Sequence, residues 1–212
     1  MRIGVLDYGA GNLRSVYRAI SFLGFEYMPI KSSKDFGSLD KLIIPGVGAF
    51  KIAMDQLRGN ALVEPIKDYS LNGLPVMGIC LGMQLLFGRS EEFGHCEGLG
   101  LMEGSLLHIS EQYKLLYKDK IKVPHIGWAK LDYLKDDWLI EGLKVDPFHA
   151  YFVHSYMACN VHEDNIIASV QYNGLEIPAL VKVNNTYGCQ FHPEKSGENG
   201  LQLLRKFLEI TT

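Results

Sequence analysis

A large excess of charge of either sign is missing from this sequence. Its 21 Lys and Arg against 24 Asp and Glu in 212 residues leave a formal net charge of -3. Lys and Arg are scattered rather than clustered, which excludes the basic footprint of a nucleic-acid binder or of a protein drawn to anionic membrane surfaces. Cysteine is scarce: Cys80, Cys96, Cys159 and Cys189 stand far apart with no C-x-x-C spacing. Neither a disulfide framework nor a structural zinc site fits that pattern, and a reducing compartment does. No apolar run approaches the length of a membrane span, and "MRIGVLDYG" turns polar too soon for a signal peptide, so the expected location is the cytoplasm, away from membranes. Repeats, low-complexity tracts and linkers are absent as well. With 47% hydrophobic residues the expectation is one domain, residues 1–212, with a sizeable core.

What is present is alternation. "RIGVLDY", a helical pattern from about Asn12 to Leu23, "EYMPI", "KLIIPG", helices through about 51–72 and "PVMGI" follow one another. This order predicts an α/β fold with a mostly parallel sheet flanked by helices, and the continuously apolar "LIIPG" and "PVMGI" fit strands buried on both faces. The second half carries β-like runs at "GLMEGSLLHI", "AYFVHSYM", "IIASVQY", "PALVKV" and "TYGCQF". These predict an antiparallel β extension in the C-terminal half. Residues 111–120 are charged without clear periodicity and read as a surface loop. From Ser196, an expected N-cap, to Ile210 the spacing of Leu201, Leu204 and Leu208 predicts an amphipathic helix.

In "PVMGICLGMQLLFG" Cys80 sits between Gly78 and Gly82, where a buried strand gives way to a helix. A cysteine alone is ordinarily a packing residue. Glycines on both sides at a strand-to-helix turn are the context of the G-x-S-x-G nucleophile elbow, with sulfur in place of oxygen. A thiol there is placed to ionise, and the N–H of Leu81 is placed to steady an oxyanion.

A thiol nucleophile needs a base, and the base needs an orienting group. "CQFHPEKS", residues 189–196, supplies His192 and Glu194 around Pro193, after a β-like run and before the terminal helix. His-x-Glu also occurs in zinc deaminases, but their P-C-x-x-C is absent here, so no metal is expected. "DYGAGN" lacks the third glycine of a dinucleotide-binding loop, and Lys31 rather than an acid ends the second strand; no nucleotide or other cofactor is expected.

"GICLGMQLL" and "QFHPEKS", with "PGVGAF" upstream, resemble the class I glutamine amidotransferases, whose flavodoxin-like fold carries a Cys-His-Glu triad in that chain order. "LDYGAGNLRSV", "RSEEFGHCEGLGLMEG", "VPHIGW" and "YFVHSY" extend the resemblance along the chain. They make it most similar to the members that feed ammonia to a (βα)8-barrel cyclase of histidine biosynthesis, as one half of a heterodimer. The resemblance implies Cys80 as nucleophile, His192 as base and Glu194 as its orienter. It implies an oxyanion hole at Val47, Gly48 and Leu81, with a peptide flip at Val47 switching it on. It places L-glutamine against Gly48, Gln84, Glu92, Ser155 and Tyr156, and a partner against Asn12, Trp128, Tyr151 and Lys195. The chain has Ala129 after "GW", where these relatives usually have Asn.

The chemistry so implied is attack of the Cys80 thiolate on the glutamine side-chain amide, loss of ammonia from a thioester, and hydrolysis. Three readings stand at this point: the histidine-pathway glutaminase subunit, a paralogue supplying ammonia for amidino groups on bacterial surface sugars, and a free-standing cysteine hydrolase.

Overall fold

A computed structural model describes residues 1–9, 13–37, 39–143 and 147–210. In chain order the elements are β1 (Ile3–Leu6), α1 (Leu13–Phe22), β2 (Tyr27–Ile30), β3 (Lys41–Gly46), α2 (Phe50–Gly59), α3 (Val63–Leu71), β4 (Val76–Cys80) and α4 (Leu81–Leu85). Then come β5 (Phe87–Ser90), β6 (Cys96–Glu97), β7 (Met102–His108), α5 (Ile109–Tyr117), β8 (His125–Tyr133), β9 (His149–His154) and β10 (Tyr156–Cys159). The chain closes with β11 (Ile166–Tyr172), β12 (Leu175–Val183), β13 (Thr186–Cys189) and α6 (Gly197–Glu209).

Nine strands form one sheet in the order β2-β1-β3-β4-β13-β12-β11-β8-β9. The pairings from β2 to β13 are parallel, and those from β13 onward are antiparallel. This is the mostly parallel sheet with an antiparallel extension that the alternation predicts. Every residue of β3 and β4 is buried, because helices cover both faces. Val16, Ala19 and Ile20 of α1 and Leu203, Leu204, Phe207 and Leu208 of α6 pack with Ile43 and Ile79 on one face. On the other, Ala53, Met54 and Leu57 of α2 pack with Leu42 and Ile44. The two sides of β3 thus follow the two-residue period of a strand.

Pro45 stands in the middle of this sheet, where a missing N–H would ordinarily break a ladder. Here β1 pairs β3 only as far as Ile43, and the Pro45 carbonyl, on that same open side, accepts from the Tyr8 hydroxyl at 3.0 Å. The strand therefore loses no ladder bond at Pro45.

Three expectations need correction. Residues 111–117 are not a loop: α5 runs to Tyr117, capped by the His108 ring accepting from Ser110 N and ended by Lys118 in the left-handed region, with 118–120 irregular beyond it. Only Ile109 of this helix is buried, with Tyr113 packed at the edge of the core, while Leu115, Leu116 and Tyr117 are exposed, so its apolar residues do not add up to one buried face. The run "AYFVHSYM" is two strands, because the chain changes sheets at Ser155. β10 joins β7, β5 and β6 in a second sheet of four strands, ordered β10-β7-β5-β6, which also takes the "GLMEGSLLHI" segment away from the main sheet. Ser196 does hold the N-cap position of α6, but its side chain does not cap; it bonds the chain on either side of the site described next.

Candidate active site

The site lies beyond the carboxyl ends of β4 and β13, which are neighbours in the sheet. Cys80 is the last residue of β4 and the residue before α4, with φ +54° and ψ -111°. A non-glycine residue in that region is held there by its surroundings. Those surroundings are glycine: a Cβ on Gly82 would stand 1.7 Å from the Ile44 carbonyl oxygen, and one on Gly78 would stand 2.5 Å from the Gly82 oxygen. The first turn of α4 lies directly on β3 and β4, and this close approach turns the thiol outward. Cys80 is the elbow that the G-x-C-x-G spacing predicts, at 5% exposure. Its sulfur lies 3.9 Å from the Val153 carbonyl and 3.9 Å from Nε2 of Gln190.

His192 follows β13, and its backbone N–H donates to the Tyr151 carbonyl of β9 at 3.0 Å. Pro193–Lys195 form one 3₁₀ turn, which brings Glu194 back so that its Oε1 lies 2.8 Å from His192 Nδ1. Pro193 at the start of that turn gives up an N–H that would go unused there. Ser196 Oγ donates to the His192 carbonyl at 2.6 Å and accepts from Tyr151 N at 3.0 Å, stapling the turn to β9. The pair is buried, with side chains 4% and 2% exposed. Burial opposes a charge on His192, but hydrogen bonding and charge from Cys80 and Glu194 outweigh it and raise its pKa to about 9. With Nδ1 given to the carboxylate, Nε2 is the nitrogen left to exchange a proton, and among the described residues no regular hydrogen bond occupies it.

The other cysteines are also buried, and burial pushes the Cys159 thiol up to about 11 and raises that of Cys189 further. Cys80 alone among the four lines the cavity at the site.

A cavity of about 480 Å³ opens over the thiol. Val47, Gly48, Leu81, Gln84, Glu92, Ser155 and Tyr156, drawn from four separate stretches of chain, all line it. Gly48 has φ +109°, a conformation suited to glycine, and Val47 beside it is 39% exposed at the cavity rim. Glu92 is 9% exposed; its Oε2 accepts from Phe50 N at 2.6 Å, the first N–H of α2. Gln84 Nε2 donates to the Tyr156 carbonyl at 3.2 Å and to Gln190 Oε1 at 3.0 Å. A shallower groove of about 650 Å³ between Trp138, Tyr187 and Lys206 lies away from this chemistry. Its lysines are engaged, Lys182 by Asp137 and Lys206 by the Trp138 carbonyl.

Trp128 is 57% exposed and meets the Tyr151 ring edge-on at 6.0 Å, its register partner across β8 and β9. Lys195 Nζ lies 6.0 Å from the same ring, which in turn is 6.5 Å from the His192 imidazole. Three of the four residues expected to face a partner therefore form one surface cluster touching the base; Asn12 lies outside the described residues. Ala129 pairs with Ala150 beside that cluster. Lys31, at the end of the second strand, pairs with Asp7 at 3.2 Å. No group of three or more His, Cys, Asp or Glu is placed to hold a metal ion, and no helix is long and apolar enough to cross a membrane, among the described residues.

The site uses residues that the motifs do not single out. Gln190 touches both the thiol and Gln84, and His154 lines the cavity. Both stood within quoted motifs, "QFHPEKS" and "YFVHSY", but only the packing of strands reveals whom they face.

A family model for class-I glutamine amidotransferases matches residues 4–210. The chain is 42% identical over 212 residues to the imidazole glycerol phosphate synthase subunit HisH 1 of Legionella pneumophila (strain Lens), covering 98% of this chain and 99% of that one. It is 44% identical over 206 residues to the subunit HisH of Bacillus cereus (strain B4264), covering 97% and 93%. Among solved structures it resembles PurLQS from Thermotoga maritima, with a TM-score of 0.75 at 21% identity over 98% of this chain and 97% of that one. A structure described as a glutamine amidotransferase gives 0.73 at 22% identity, over the same 98% and 97%. The solved structures match the fold, and the family match runs over nearly the whole chain: this protein belongs to the class-I glutamine amidotransferases.

Proposed function

We propose that this enzyme is the glutaminase subunit of an imidazole glycerol phosphate synthase, a single amidotransferase unit that hydrolyses L-glutamine and passes ammonia to a (βα)8-barrel cyclase. The observation that carries the chemistry is the buried His192–Glu194 pair beside the elbow thiol of Cys80. The observation that favours this pathway is the identity with HisH subunits over nearly their full length.

In this reading His192 takes the thiol proton and Cys80 attacks the amide carbon of glutamine. The tetrahedral oxyanion is met by the N–H of Leu81 and by the Val47–Gly48 peptide, which the permissive φ of Gly48 allows to turn. His192 then protonates the departing ammonia, and water hydrolyses the γ-glutamyl thioester. Glu92 answers the substrate's α-ammonium with the oxygen not bonded to Phe50 N, while Gln84, with its nitrogen committed, offers its oxygen. Ser155 and Tyr156 close the opposite wall. Ammonia is mostly protonated and non-nucleophilic in neutral water, so it must reach the cyclase without entering solvent. The Trp128–Tyr151–Lys195 cluster, next to the base and open to contact, is the surface on which that cyclase would sit.

The test is glutamine hydrolysis by the purified chain with and without a cyclase of the histidine pathway loaded with its nucleotide ligand. Expected is weak turnover alone and a sharp rise in the complex. Cys80→Ala should abolish glutamine-dependent synthesis while synthesis from ammonium salt continues. Full turnover by the isolated chain would argue for a free-standing hydrolase. Activation only by a sugar-modifying barrel would favour the paralogue, a reading that Ala129 at the rim of the cluster keeps open.

A further inference from the structure

The Tyr156 carbonyl can only accept hydrogen bonds, and that fixes the sense of a buried chain of side chains. It is met by His154 Nδ1 at 2.9 Å and by Gln84 Nε2 at 3.2 Å. The amide end of Gln84 at this point is therefore its nitrogen, and the second hydrogen of that nitrogen goes to Gln190 at 3.0 Å, so the atom receiving it is Gln190 Oε1. The remaining end of Gln190, its NH2 group, is left facing the Cys80 sulfur at 3.9 Å. The far end is anchored too. With Nδ1–H used on the carbonyl, His154 accepts at Nε2 from His125 Nδ1, 3.0 Å away on β8.

We propose that Gln190 is a further residue of the nucleophile's machinery, donating an N–H to the Cys80 sulfur and holding it, through Gln84, to the Tyr156 carbonyl. The proposal rests on the reading of Cys80 as nucleophile and adds a donor that the triad does not contain. Gln190 is fully buried, so its NH2 group has no water to turn to. A neutral thiol is a poor acceptor and a thiolate a good one, so the contact strengthens as the proton leaves. The Val153 carbonyl, also 3.9 Å from the sulfur, serves the other state by accepting from the S–H. The sulfur thus has one partner for each protonation state. The titratable groups acting around it are His192 backed by Glu194 and Tyr8 from beyond β1; His154, which lines the same cavity, is held neutral by burial.

Alkylation of Cys80 by iodoacetamide, followed by mass spectrometry of its peptide across a pH series on the full chain, tests this directly. In Gln190→Leu the midpoint of reactivity should rise by about one pH unit, with alkylation at neutral pH slowed about tenfold. An unchanged midpoint in folded Gln190→Leu overturns the proposal. Should that variant fail to fold, the side-chain NH2 resonances of Gln190 in ¹⁵N-labelled wild-type protein decide instead. They should move with the ionisation of Cys80, and resonances that stay put overturn it. Failure of the nucleophile reading is seen separately, as glutaminase activity surviving in Cys80→Ala.

Discussion

Nδ1 of His192 stands 2.8 Å from Oε1 of Glu194, and three residues of one turn hold the two together. The carboxylate fixes the tautomer and supports the imidazolium, whereas the imidazole itself moves the proton. His192→Ala should accordingly lower the rate of glutamine hydrolysis by roughly 10²–10⁴, the usual contribution of a general acid–base group, and Glu194→Gln by less. Steady-state kinetics of the complex check the order. Equal losses would mean that Glu194 has a second task.

The glycine after the nucleophile has no room for a methyl group. Because the obstacle to a Cβ at Gly82 is the Ile44 backbone oxygen and not a side chain that could swing away, Gly82→Ala should cost about 3 kcal/mol or more, the upper range for overpacking. Urea denaturation measures it. A loss below 1 kcal/mol would show that α4 can lift off β3.

Ser196 predicts a combined effect. Its hydroxyl serves the His192 carbonyl, which also accepts from Lys195 N at 3.0 Å, and the Tyr151 N–H, which is left without this partner when the hydroxyl is removed. Ser196→Ala should lower stability by about 1–3 kcal/mol and slow glutamine hydrolysis without raising KM. An unchanged rate in the folded variant would detach the staple from catalysis.

The His125–His154 pair gives the protein an acid limb. Burial lowers the pKa of His125 to about 4 and that of His154 to about 3, whereas both would titrate near 6.5 in the unfolded chain. Between those values the unfolded state binds more protons, so stability contributed by the neutral pair is complete above about 6.5 and is lost as pH falls toward 4. The melting temperature should drop between pH 7 and pH 5, and the drop should shrink in His125→Phe, which keeps a ring stacked between Phe152 and Tyr172. Equal drops in the two proteins would rule the pair out as the cause.

The elbow and the base were legible in the sequence because local rules make them. Glycines at fixed offsets force the turn at Cys80, and a proline between His192 and Glu194 sets their spacing. The parallel half of the sheet was legible for a similar reason, since strands buried on both faces are written as unbroken apolar runs. The second sheet was not, because the break at Ser155 is a change of pairing partner within a continuous β-like run and leaves no mark on composition. Nor was α5, which lies on the surface with Leu115 and Leu116 turned outward. The contact between Gln190 and Gln84 spans 106 positions and exists only once β13 has settled beside β4.

The edge of the nine-stranded sheet is where catalysis and solubility meet. β9 is its last strand, and the outward-facing N–H and C=O of Tyr151 are taken by Ser196 and by His192. The turn that carries the base therefore also occupies bonds that a foreign strand would otherwise find open. A substitution that unseats this turn would leave a bare sheet edge as well as an idle thiol, so loss of activity and a tendency to aggregate should arrive together.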